Sequence, residues 1–158
     1  MIYSRACGYA IRALAKLALV RPDGYVLIEE LCDEPNLPRD YVSKIFQDLR
    51  RSGILISAKG RGGGFALARP PETITLYEIV ALIDGAKHFD ECVVGLAQCD
   101  DDQPCPEHEM FKPIRRQIKR FLTHTTLAQM SKTLERKLKL TGKTLNMPKS
   151  KSKPLGRR

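Results

Sequence analysis

A basic, glycine-rich sequence between two short apolar runs constrains the fold of this chain more than any other feature. The apolar runs cover residues 54–57 and 65–68, and between them lies KGRGGG at 59–64. Short runs joined by a glycine-containing connection are typical of a β-hairpin, here with a loop too flexible to be explained by packing. A phosphate-binding loop does not fit, because the lysine precedes the glycines and no helical pattern follows them.

Two helical patterns separated by a short break precede this hairpin. The first covers about residues 27–34, and the break contains Pro35, Asn36 and Pro38. The second starts near Pro38 and stops at Gly53, with an apolar face at Tyr41, Val42, Ile45, Phe46 and Leu49. A helix capped by Ser4 and ending before Arg21 comes first. A helix-turn-helix followed directly by a hairpin is a winged helix, so we predict a mainly α fold with a small β-hairpin wing.

The second half of the chain predicts three further helices. Thr73 or Thr75 caps a short one that ends near Gly85, and Thr125 or Thr126 caps a last one over 127–138. Between them a long helix runs from about Pro106 to His124. It carries an apolar stripe of Met110, Phe111, Ile114, Ile118, Phe121 and Leu122. A winged-helix domain is too small to bury this stripe in its own core. We therefore expect the stripe to pair with that of a second copy of the chain.

Three of the five cysteines fall within residues 92–108. Cys92, Cys99 and Cys105 are separated by six and five residues, and His108 follows after two more. Thiolates are soft ligands suited to zinc or iron–sulfur centres. Zinc sites usually contain closely spaced ligand pairs, so the wide gaps favour a cluster, [2Fe–2S] or [4Fe–4S], with zinc and a thiol switch as alternatives.

The net charge of +9 is unevenly distributed. It lies in the segment after residue 131, while residues 39–69 form a second, local excess of bases. In a helix-turn-helix the second helix enters the major groove of double-stranded DNA, and a basic wing contacts phosphate or the minor groove. The candidate DNA-binding residues are Arg39, Tyr41, Ser43, Lys44, Arg50, Arg51, Lys59 and Arg61.

Over about residues 1–135 the chain resembles the Rrf2 family of bacterial winged-helix regulators, whose iron–sulfur members include the IscR, NsrR and RirA types. The resemblance rests on the opening residues 3–10, YVSKIF at 41–46, LRRSGI at 49–54, GGGFAL at 62–67 and the three-cysteine segment. It implies a homodimer that binds promoter DNA and changes affinity with a cluster held by Cys92, Cys99, Cys105 and His108.

Two positions bear on the type of cluster that the resemblance implies. His108 matches the histidine ligand of IscR-like proteins, which hold [2Fe–2S], although the Cys92–Cys99 gap is one residue longer than is common there. Some NsrR-like members complete a [4Fe–4S] cluster with a carboxylate from the partner's first helix, where this chain has Gly8. We therefore favour [2Fe–2S] over [4Fe–4S]. Cys7, beside Gly8, is a further candidate ligand across a dimer, and a core position is the simpler interpretation.

Four parts are expected: a DNA-binding domain at 1–85, a cluster-binding loop at 86–108, a dimerisation helix with a following short helix at 109–140, and a basic disordered tail at 141–158. We expect a cytoplasmic protein without a membrane segment.

We also expect no catalysis, because Cys105 and His108 lack an orienting third residue and the acidic surroundings raise a thiol pKa. Two alternatives remain: a zinc- or thiol-based repressor, and an iron–sulfur scaffold or electron carrier whose winged helix contacts proteins.

Overall fold

The structure, a computed structural model, describes residues 2–20, 23–33, 36–96 and 99–142. Within these ranges the helices are α1 (Arg5–Val20), α2 (Ile28–Leu31), α3 (Arg39–Arg51), α4 (Leu76–Ile83), α5 (His108–His124) and α6 (Leu127–Thr141). The strands are β1 (Leu55–Ala58) and β2 (Gly64–Leu67), and 3-10 turns cover Pro71–Thr73 and Ala86–Phe89. This mainly helical fold with an antiparallel hairpin after a helix-turn-helix confirms the predicted winged helix.

The core is built around α1, which packs against α3, α4 and α6. Helical spacing puts Ala10, Leu14 and Leu17 on its buried side, each fully inaccessible to solvent. From α3, Phe46 meets Phe65 of β2 edge to face, with ring centroids 5.3 Å apart. The wing is therefore packed against the helix that precedes it, and the two form one unit.

Backbone packing explains two glycines of the wing, so at Gly63 and Gly64 the expectation of a loop too flexible to be explained by packing is wrong. Val26 and Phe65 exchange two backbone hydrogen bonds of 2.9 Å, which adds a third extended segment beside β2. At Gly64 (φ +125°) a Cβ atom would lie 2.2 Å from the Val26 carbonyl oxygen. At Gly63 it would lie 2.2 Å from the carbonyl oxygen of Ala58. Only glycine permits these backbones to approach so closely.

Side chains cap the helices largely where the sequence predicts. Ser4 Oγ accepts from the Cys7 N–H at 3.1 Å, and Thr75 caps α4 through the Glu78 N–H at 3.2 Å. Thr126 caps α6 in a reciprocal capping box with Gln129. Of the two pairs of alternatives, Thr75 and Thr126 are therefore the caps.

A buried lysine fixes the end of α2. Lys16, on α1 and 3% exposed, donates to the carbonyl oxygen of Glu30 at 2.6 Å and forms an ion pair with Asp33. The helix ends at Leu31, earlier than the predicted residue 34, because its last turn bonds to Lys16. This contact holds the start of the helix-turn-helix connection against α1.

The apolar residues of α5 divide between two faces. Leu122 is fully buried in the core of its own chain, which corrects its assignment to the dimer stripe. Met110, Ile114 and Phe121 face outwards and are 74%, 49% and 51% exposed. The outward face remains available for a second copy. No helix within the described residues is both long and apolar enough to cross a bilayer.

The turn between α5 and α6 is hydrogen-bonded to the segment that follows the wing. Leu76 N–H donates to the Thr125 carbonyl oxygen at 2.9 Å, and Leu127 N–H donates to that of Ile74 at 2.8 Å. Thr75 and Thr126 form an isolated antiparallel bridge between these bonds. Beyond the turn, α6 packs along α1, so it belongs to the same compact body as the winged helix.

Candidate DNA-reading surface and cysteine site

The outward face of α3 is polar and accessible. The helix buries Val42, Ile45, Phe46 and Leu49, and the opposite face therefore carries Asp40, Lys44, Gln47 and Arg51 at spacings of three and four. All four of these outward residues are exposed. A helix with this arrangement can present its outer side to a DNA groove while its inner side stays in the core.

Five of the six bases predicted to bind DNA fall into two classes. Arg39 lies near Glu29 and Asp40, and Arg51 pairs with Asp48. Because these ion pairs are exposed, they contribute little and can be exchanged for phosphate contacts. Lys44, Arg50 and Arg61 make no ion pair or side-chain hydrogen bond within the described part of the chain.

Tyr41 and Ser43 lie on opposite flanks of α3. The Tyr41 ring meets Tyr9 of α1 edge to face, with centroids 6.2 Å apart, and is half exposed. It lines a groove of about 320 Å³ between α1, α3 and α4. Ser43 is partly buried on the other side. Both side chains therefore lie to the side of the outward face.

Sequence reasoning missed Gln47, which lies three residues after Lys44 on the outward face. A glutamine amide can donate to and accept from an adenine edge in the major groove. Our prediction considered mainly the first residues of α3. The helical spacing of α3 could have identified Gln47, because it places this residue on the face opposite the buried Val42 and Phe46.

In the wing, the hairpin register pairs Leu55 with Leu67 and Ala58 with Gly64. The remaining residues between the strands form the tip, where Gly63 N–H donates to the Gly60 carbonyl oxygen at 3.0 Å. Lys59 and Arg61 are exposed there. The tip thus presents two positive charges at the end of the hairpin.

The three cysteines and His108 come together where α5 begins. The Cys92 and Cys105 thiols lie near enough to influence each other's pKa. Cys99 Sγ lies 3.4 Å from His108 Nδ1, and His108 is the first residue of α5. Two pairs of side chains, far apart in sequence, are thereby placed at one helix end.

Three polar side chains surround these pairs. His108 Nε2 lies 2.7 Å from Asp101 Oδ1, which also accepts from Lys112 Nζ at 2.6 Å. Arg115 donates one N–H to Cys99 Sγ at 3.0 Å and another to the Glu91 carbonyl oxygen at 2.9 Å. The expectation that no third residue orients His108 is therefore wrong, because Asp101 does.

The thiols differ in acidity. Burial and the neighbouring Cys92 and Cys99 raise the pKa of Cys105. Burial also acts to raise the pKa of Cys92, but the backbone N–H groups of Leu96 and Val94 and the Cys105 thiol together lower it. The prediction that acidic surroundings raise the thiol pKa therefore fails for Cys92. Hydrogen bonds from Lys112 and His108 lower the pKa of Asp101.

Within the described residues, the cysteine site has no three or more His, Cys, Asp or Glu side chains arranged to hold one metal ion. A cavity of about 510 Å³, lined in part by Cys92, Phe111 and Arg115, lies beside the site.

The two remaining cysteines lie away from this site. Cys7 is fully buried in the core, where burial and the charge of Asp84 raise its pKa to about 12. A thiol without solvent access cannot reach a partner chain, so the structure favours the core interpretation of Cys7. Burial likewise raises the pKa of Cys32 to about 11.

Comparison with known proteins agrees with this architecture. The model of the Rrf2 family, described as an iron-dependent transcriptional regulator, matches residues 3–133. A protein of Aquifex aeolicus (strain VF5) is 34% identical over 140 residues, which cover 87% of this chain and 96% of the relative. That protein is described as an HTH-type transcriptional regulator by inference. The relatives with a given name are described as transcriptional regulators.

Solved structures show the same fold. That of T. potens IscR is 25% identical with a TM-score of 0.65, over 85% of this chain and 88% of the other. That of CymR, the global cysteine regulator of B. subtilis, is 24% identical with a TM-score of 0.67, over 82% of this chain and 95% of the other. At that identity the CymR match concerns the fold alone.

Proposed function

The chain belongs to the Rrf2 family of winged-helix transcriptional regulators, and we propose that it binds promoter DNA as a homodimer under the control of an iron–sulfur cluster. One observation carries the proposal: Cys92, Cys99, Cys105 and His108 converge at the start of α5. The description of the family as iron-dependent supports the same conclusion.

The side chains at this site fit such a cluster. Three thiols and one imidazole provide four ligands, the number that an iron–sulfur cluster requires. When bound, the cluster would supply a centre that iron supply, oxidants or nitric oxide can alter. Cys92, Cys99 and Cys105 would bind through sulfur and His108 through Nδ1. His108 and the lack of a ligand atom at Gly8 favour [2Fe–2S] over [4Fe–4S].

The winged helix would contact DNA through two surfaces. Lys44, Gln47 and Arg51 on the outward face of α3 would enter the major groove, with Arg39 and Ser43 beside them. At the wing tip, Lys59 and Arg61 would bind phosphate or the minor groove. Arg50 would contact the backbone, and Tyr41 would contribute from the flank. The outward stripe of α5 would place two such surfaces on one palindromic operator.

The helix α5 would carry the signal from the cysteine site to the winged helix. Residues 86–108 would form the sensing part, and α5 both contributes His108 and ends at the turn that is hydrogen-bonded to Ile74 and Leu76. A change at the cysteine site that shifts α5 would therefore reach the segment directly after the wing. We propose that the cluster sets the spacing of the two DNA-reading helices in this way.

The decisive experiment combines composition with DNA binding. Protein purified without oxygen should show the visible absorption of an iron–sulfur cluster, with iron and sulfide in equal amounts. Cys105→Ala should lose it, while Cys32→Ala, outside the site, should keep it. A gel shift with promoter DNA should then differ between cluster-loaded and cluster-free protein. A colourless protein with one zinc per chain, or no shift in either state, would contradict the proposal.

A thiol-based regulator is the second candidate, because Cys92 and Cys105 lie close to each other and the pKa of Cys92 is lowered. These are conditions that favour disulfide formation. A mild disulfide oxidant would take one electron from each thiol, form the S–S bond and release two protons. If iron is absent and the Cys92–Cys105 disulfide alone changes DNA affinity, this second function is the correct one.

A further inference from the structure

We infer that Asp101 and Arg115 are positioning residues of the cysteine site, which hold His108 and Cys99 in a ligand arrangement while the protein is free of metal. The inference rests on the proposed function for the identity of the ligand. The positioning itself is a property of the metal-free chain and is tested there.

Asp101 determines which nitrogen of His108 faces the thiols. Its Oδ1 lies 2.7 Å from Nε2, and a carboxylate accepts hydrogen bonds, so Nε2 carries the proton. The lone pair of Nδ1 is then directed towards Cys99 Sγ at 3.4 Å. Histidine ligands of metal sites usually donate their other N–H to a carboxylate in this manner.

The surroundings keep both groups in this arrangement. His108 is only 4% exposed, so water does not compete readily for its ring nitrogens. Lys112, one helical turn further along α5, donates to the same Asp101 oxygen at 2.6 Å. Since Asp101 is mostly exposed, the charge attraction contributes little stability. The consequence of the contact is the orientation of the imidazole.

Arg115 connects two distant parts of the segment to α5. Its two terminal N–H groups reach the Cys99 sulfur and the Glu91 carbonyl oxygen, eight residues apart in sequence. The Phe111 ring, 5.4 Å from the guanidinium carbon, supports the side chain from α5. A lysine would present all its donors on one nitrogen and would not reproduce this contact, in which two separate nitrogens of one planar group each donate a bond.

Nuclear magnetic resonance of the reduced, metal-free, full-length protein tests both roles. In the wild type the ¹⁵N shifts of His108 should show a protonated Nε2 and an unprotonated Nδ1. Asp101→Ala should give a mixture of tautomers, whereas Asp102→Ala, at the exposed neighbouring position, should leave the shifts unchanged. The heteronuclear NOE of residues 99–102 should fall in Arg115→Met and stay unchanged in Arg116→Met.

The results separate this inference from the proposed function. An unchanged His108 tautomer in Asp101→Ala, or an equally rigid segment in Arg115→Met, would overturn the positioning roles even in a protein that takes up a cluster. If the wild type takes up none, the proposed function fails while the resonance data still decide the inference. In a cluster-binding protein, Asp101→Ala should lower metal affinity by ~10- to 100-fold, the usual effect of losing such a partner.

Discussion

Replacing Asp33 with Asn, and separately Lys16 with Met, tests how the buried ion pair of α1 holds the helix-turn-helix. The Lys16 side chain is 4% exposed and that of Asp33 is 30% exposed. The two substitutions therefore leave very different groups behind. Asp33→Asn leaves a buried ammonium without its carboxylate, and Lys16→Met leaves a carboxylate that solvent can reach.

The difference in exposure sets the expected magnitudes. Removing one partner of a buried pair costs about 3–5 kcal/mol, and we expect about 3 kcal/mol for Asp33→Asn because Lys16 keeps the Glu30 carbonyl oxygen as an acceptor. Lys16→Met preserves the apolar stem and loses one charged hydrogen bond, which costs about 1–2 kcal/mol. The double variant should be more stable than Asp33→Asn alone, because no unpaired ammonium remains buried.

Urea unfolding followed by circular dichroism measures these free energies. Glu135→Gln, which removes the exposed pair with Lys139, serves as the control and should change stability by less than about 0.5 kcal/mol. The reasoning is refuted if Lys16→Met destabilises the protein as much as Asp33→Asn does, or if the double variant is the least stable of the three.

The other predictions concern the wing, the dimer, a buried thiol and base recognition. Gly64→Ala should cost ~3 kcal/mol or more in thermal unfolding, against about 1 kcal/mol for Gly60→Ala, whose Cβ would meet open space; equal losses would contradict the steric argument. Ile114→Asp should give a monomer in light scattering, since a charge would be buried at an apolar interface, and a persistent dimer would show that another surface pairs. The pKa of Cys7 is about 12 in the folded protein, against an ordinary value of 9.0 for the thiol in the unfolded chain. Its contribution to stability is therefore complete below pH 9 and lost as the pH rises towards 12. The unfolding free energy of the wild type should thus fall more steeply with pH than that of Cys7→Ala, and parallel curves would refute the shift. Gln47→Ala should alter sequence preference in gel shifts without changing the salt dependence, whereas a changed salt slope would indicate a phosphate contact.

Local signals explain what could be predicted from the sequence. Proline and glycine mark the limits of α3, and its apolar spacing identifies the face that is buried. The choice between Thr73 and Thr75 as the cap could also be made from the sequence. Glu78 follows Thr75 by three residues, which is the spacing of a capping box. These features depend on residues within a few positions of one another, so the winged helix follows from them.

Contacts between distant segments could not be predicted in this way. A lysine in the apolar pattern of α1 gives no indication that Asp33 is its partner. Phe121 and Leu122 are adjacent in one apolar stripe, yet one is half exposed and the other fully buried, because α6 turns back along α1. The ligand set at the cysteine site was predicted from spacing and resemblance. Its surroundings, Asp101 and Arg115, depend on how the segment folds onto α5.

The paired hydrogen bonds at Leu76 and Leu127 have a consequence for the evolution of the chain. They close residues 76–126 into a loop whose two ends meet at a fixed point beside the wing. The entropy cost of closing a loop grows only with the logarithm of its length, so one added residue changes it by far less than 1 kcal/mol. The cysteine segment can therefore lengthen, as in its six-residue first gap, without altering where the chain re-enters the DNA-binding body.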